Sequence, residues 1–111
     1  MRHTFEIPIF TPCQVTCIQG EDFKSIGKEF NLTGDLDTVE AFVFRNEPYS
    51  YFIVVKSNIK VPVLVHEVNH VVNSMFQDIG IKLDTDNDEV QSFMLEYITE
   101  QAIKLLKVKL K

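Results

Sequence analysis

The stretch from Val61 to Gly80 reads VPVLVHEVNHVVNSMFQDIG, and its period sets the fold class. From Leu64 onward, Val65, Val68, Val71, Val72, Met75, Phe76 and Ile79 fall on one broad arc at about 100° per residue, the pattern of a helix with one buried side. Pro62 suits the first turn, where its missing N–H has no partner to lose, and the helix is expected to end before Gly80. Opposite the valine arc runs a polar stripe of His66, His70, Asn73 and Gln77. His66 and His70 are only about 40° apart around the helix and one turn apart along it, so two imidazoles can meet one ion. Glu67 projects about 100° round from His66, off such an ion but within reach of a water held by it.

Downstream, a second helix is expected to start near Asp86 and run towards the C-terminus, burying Val90, Met94, Ile98, Ala102 and Leu105. Two readings of Glu89 stay open: a third metal ligand, or, with Asp86 as N-cap, the N3 glutamate of a capping box. Asp88, Glu96 and Glu100 are reserve carboxylates, of which Glu96 and Glu100 share a polar stripe with Lys107 that reads as a solvated face. From Lys104 to Lys111 lysines alternate with apolar residues. Lysines stabilise the carbonyl end of a helix through its dipole, and that reading is preferred to a membrane-surface patch.

Upstream, the chain reads as short strands. Phe5–Phe10 and Val15–Gln19 are separated by a turn at Thr11 and Pro12. Asp22 is placed to cap a short helix carrying Phe23, Ile26 and Phe30, and Asn31–Asp37 reads as a loop around Gly34. Ala41–Arg45 and Tyr51–Lys56 flank Asn46, Glu47 and Pro48 with the composition of a hairpin. Both runs are apolar almost throughout, which implies cover on both faces. Tyr51–Lys56 could offer an edge to an extended peptide, although its apolar character also suits a central strand. Strands first and helices afterwards give an α+β class: a small antiparallel-rich sheet with a short helix, then the helix of the two histidines and a C-terminal helix, in one domain over residues 1–111.

The flanks of the histidine pair are uncharged, and VLVHEVNHVV at residues 63–72 meets the abxHEbbHbc pattern, by which the chain resembles the zincin metallopeptidases. The resemblance implies Zn²⁺ held by His66 and His70, with Glu67 as the general base. Asn73 and Phe76 stand where the metzincin branch requires glycine and a third histidine. The gluzincin branch takes a glutamate from the next helix, which implies Glu89, 19 residues after His70. HEVNHVVNSMFQDIGI followed by NDEVQSFMLEYI is also similar to short phage- and prophage-encoded zincin-like proteins. Phe93 departs from that pattern, because such sequences often carry a tyrosine there whose hydroxyl could stabilise an oxyanion.

Composition narrows the alternatives. Sixteen acidic against 11 basic side chains leave a net charge of -5, so the chain lacks the positive footprint that gathers phosphate backbones, and nucleic acid is not expected as a partner. No stretch reaches the roughly 20 apolar residues of a membrane span, and Glu6 and Pro8 interrupt the N-terminal MRHTFEIPIF before a secretory apolar region forms. Cys13 and Cys17, four apart on a strand, would be roughly 13 Å apart, beyond disulfide reach. Free thiols match a reducing compartment, so a cytoplasmic protein is expected. His3 is a lone histidine. The leading expectation is a zinc-dependent hydrolase acting on a peptide or protein. Its rivals are a phage or mobile-element accessory protein that keeps a zinc-binding fold with little hydrolysis, and a structural module without metal.

Overall fold

Tyr51, Phe52, Ile53, Val54 and Val55 are all buried. Because successive strand side chains point to opposite sides, the strand that carries them needs cover on both faces. The computed structural model, which describes residues 1–10, 12–82, 84–86 and 88–110, places this strand in the middle of a sheet. Its strands β1 (Arg2–Glu6), β2 (Gln14–Gln19), β3 (Ala41–Glu47) and β4 (Ser50–Val55) lie in the order β1-β2-β4-β3. β1 with β2 and β3 with β4 are antiparallel, as expected, whereas the central pair β2 and β4 is parallel, with Cys17 beside Ile53. Helix α1 (Phe23–Glu29) and β3 lie between β2 and β4 in the chain, giving the long connection that a parallel pair needs.

One face of the sheet packs Ile18, Phe52 and Val54 on Phe23 and Ile26 of α1. On the other, Val15, Cys17, Ile53 and Val55 meet Leu64, Val68, Val71 and Met75 of α2 (Val61–Ile79) and Met94 and Ile98 of α3 (Glu89–Leu105). The class is therefore α+β, with helices on both faces. Asp22 caps α1, its Oδ2 accepting from Ser25 N at 3.1 Å. Pro62 sits in the first turn of α2, and Gly80 ends that helix at φ 76°, the left-handed conformation that glycine adopts without strain.

Three expectations are corrected. The first strand is Arg2–Glu6 and not Phe5–Phe10, because Pro8 has no N–H for a ladder. The chain instead turns through Ile7 N to Cys13 O (3.0 Å) and Cys13 N to Phe10 O (2.7 Å); Thr11, half of the expected turn, lies outside the described residues. α3 begins at Glu89 and not near Asp86. Its N-cap, Asp88, makes no side-chain cap hydrogen bond, and Glu89 is the first helical residue, so the capping box with Asp86 does not form.

The third correction concerns the tail. Instead of continuing as helix, Leu106 is extended and Val108–Lys109 forms β6, parallel to β5 (Ile59–Lys60) just before α2. Buried Gln19 holds it there: Nε2 donates to Lys56 O (3.1 Å) and Lys107 O (2.9 Å), and Oε1 accepts from Lys107 N (2.9 Å). Only Lys104 stays in the last turn of α3, paired with Glu100. Cys13 and Cys17 are free and buried, and burial pushes the Cys17 thiol up to about 12. Among the described residues, no helix is long and apolar enough to cross a membrane.

Candidate metal centre

The position of α2 is set by its contacts with the sheet. Asp78, two turns beyond His70, accepts from the Tyr51 hydroxyl of β4 at 2.5 Å and pairs with the Arg45 guanidinium of β3. Burial alone would raise the Asp78 carboxyl, but the Tyr51 hydrogen bond and the Arg45 charge together hold it below its ordinary value. The same contact and its own burial raise the Tyr51 phenol, burial being the larger cause. The sequence carries no signal for this trio, because Asp78 lies 27 residues from Tyr51 and 33 from Arg45.

Glu67 lies eleven residues before Asp78, about three turns and within roughly 20° on the helix, so it shares the line of α2 that faces β3 and β4. Glu67 is accordingly buried, at 8 % relative exposure, although it is charged. Burial pushes its carboxyl upward, opposed by the two nearby imidazoles of His66 and His70. Neither Glu67 oxygen has a hydrogen-bond partner among the described residues, which leaves both lone-pair sets available.

His66 and His70 are exposed on the outer stripe, with ring planes at 85° and Nε2 atoms 3.1 Å apart. Two nitrogens each about 2.0–2.1 Å from one tetrahedral ion would be roughly 3.3 Å apart, so the pair already has the spacing of two zinc ligands. Without a cation, one of these nitrogens must carry a proton towards the other. The spacing of the two imidazoles is compatible with two ligands of one Zn²⁺.

Glu89 is exposed at the start of α3. Among the described residues no group of three His, Cys, Asp or Glu side chains gathers at metal-ligand spacing, so Glu89 is not drawn up to the histidines. His3 lies on β1 opposite Cys17, apart from α2 in the strand order. Asn73, on the stripe of His66 and His70, has a buried Oδ1 with no hydrogen-bond partner among the described residues, a feature its residue type alone does not disclose.

β4, the strand that sequence allowed as an edge, is central; the free edge beside α2 belongs to β3. Surface recesses of about 530 and 540 Å³ lie elsewhere, the first lined by Gly20, Phe23 and Lys56 and the second by Leu95, Thr99 and Ile103. His66 and His70 line neither recess and are exposed on the outer face of α2. Comparison of the chain with models of protein families, with curated proteins and with solved structures finds no match.

Proposed function

We propose that the chain is a zinc-dependent hydrolase of peptide bonds, in which His66 and His70 bind the metal and Glu67 is the general base. The observation that carries this reading is the 3.1 Å approach of the two Nε2 atoms on one turn of α2, with a partner-free carboxylate on the adjoining residue. Zinc, when bound, would supply an acidified water and polarise the substrate carbonyl. Glu67 would take the proton of the attacking water and return it to the departing amine, a transfer favoured by a carboxyl whose burial brings its affinity for protons closer to neutrality. Glu89 is the third ligand that the zincin resemblance implies, and holding the ion would require the start of α3 to approach the two histidines. The open face and the free edge of β3 suit an extended polypeptide better than a small molecule, which would need an enclosing pocket.

Glu67→Gln tests the assignment. The variant is expected to bind Zn²⁺ like the parent and to lose on the order of 10²–10⁴ in turnover of a peptide-library substrate. A parent that turns over and a variant that keeps its rate would falsify the role of Glu67. The second reading, a zinc-holding accessory protein of a phage or mobile element with little hydrolysis, is favoured by Phe93, which is 45 % exposed and offers no hydroxyl to a developing oxyanion. That reading predicts a parent that binds zinc and cleaves no peptide.

A further inference from the structure

Asn73 Oδ1 is buried and has no hydrogen-bond partner among the described residues. A buried carbonyl left in this state has lost its hydration without a replacement. Such an atom calls for a partner, either an ordered water or a donor that reaches it when a ligand is bound. The position of Asn73 narrows the donors. It lies three residues after His70, and helical side chains lean towards the N-terminus, so its amide reaches back over the turn that carries Asn69 and His70. Asn69 is exposed to solvent. His70 has already turned Nε2 towards His66, which leaves Nδ1 as its second ring nitrogen. A histidine that ligates through Nε2 carries its proton on Nδ1, and that N–H almost always donates to an oxygen of the protein or to water.

We propose that Asn73 is a positioning residue for His70, its Oδ1 accepting the Nδ1–H and thereby fixing the tautomer that leaves Nε2 free to bind a metal. This inference rests on the zinc reading of His66 and His70. It assigns Asn73 no contact with the ion: at about 1.5 Å rise per residue it stands roughly 7.5 Å along the helix from the midpoint of the two histidines, too far for so short a side chain. The assignment makes Asn73 a residue that costs the empty protein stability and repays it only when the imidazole is oriented.

The test is competition titration of Zn²⁺ against a chromophoric chelator on the full untagged chain, with thermal unfolding of the metal-free forms. Asn73→Leu, similar in size but without an acceptor, is expected to weaken Zn²⁺ about 10–100-fold while the metal-free protein unfolds no earlier than the parent. Asn73→Asp, which restores an oxygen at the same reach, is expected to recover the affinity to within a few-fold. In the zinc-bound parent the His70 Nδ1–H should be visible by proton NMR as a slowly exchanging resonance, lost in Asn73→Leu. A merely structural asparagine would lower metal-free stability in both variants and leave the resonance in place, which overturns the proposal. Zinc affinity of Asn73→Leu within twofold of the parent overturns this inference alone. A parent that binds no Zn²⁺ overturns the zinc reading and this inference with it.

Discussion

A charged side chain that a helix turns towards a sheet must be compensated or must shift its proton affinity, and α2 shows both outcomes on one line. Glu67, without a hydrogen-bond partner among the described residues, is pushed upward by burial; Asp78, three turns on, is held down by Tyr51 and Arg45. The second case has a pH consequence. Because the folded carboxyl of Asp78 lies below its ordinary value, its contribution to stability is full above the unfolded-state value of about 3.9 and is lost as pH falls through the folded value. Asp78→Asn should therefore unfold earlier than the parent at neutral pH, and the gap between their melting temperatures should close as pH falls through the lowered folded value. Equal melting temperatures at pH 7 would mean that the trio does not anchor the helix. At this scale the sequence discloses the imidazole pair, whose spacing is local, and hides Asp78, whose partners Tyr51 and Arg45 are brought near only by folding, and the buried, partner-free carbonyl of Asn73.

Elements were legible where punctuation and period agree. Pro62 and Gly80 bracket a seven-member apolar arc, and α2 follows them to the residue before the glycine. The first strand shows the reverse: Phe5–Phe10 is apolar enough for a strand, but one proline removes a ladder donor and the pairing shifts to Arg2–Glu6. The C-terminal lysines suit a helix end by dipole, yet two hydrogen bonds between the Lys107 backbone and the Gln19 side chain, 88 residues away, hold the segment extended, while Gln19 Nε2 also donates to Lys56 O. Gln19→Leu removes these bonds while keeping the size of the side chain. We expect it to destabilise the fold by about 1–3 kcal/mol, as for buried polar groups left unpaired, and to speed amide exchange at Lys107 in particular. Unchanged exchange at that amide would show that β6 is held by its pairing with β5 alone.

Across the whole molecule, the sheet order explains how the candidate site is displayed. A parallel β2–β4 centre buries the most apolar strand and leaves β3 as the edge beside α2, so the helix that carries His66 and His70 is clamped on one side and open on the other. This pairing was not legible in the sequence, because Tyr51–Lys56 reads equally well at an edge or at the centre and nothing local selects its neighbour. The α+β class was legible, since it needs only the change of period at Val61. The third ligand depends on how the start of α3 stands to α2, which the 19-residue spacing from His70 to Glu89 does not fix.

The proposed zinc site rests on two imidazoles on one turn of α2. Its most direct measurement is the Zn²⁺ content and affinity of the full untagged chain, beside His66→Ala and His70→Ala. About one Zn²⁺ per chain is expected in the parent, with loss of binding in either variant, because a carboxylate with a single remaining imidazole rarely holds the ion. No bound zinc in the parent, or the same stoichiometry and affinity in both variants, would contradict it.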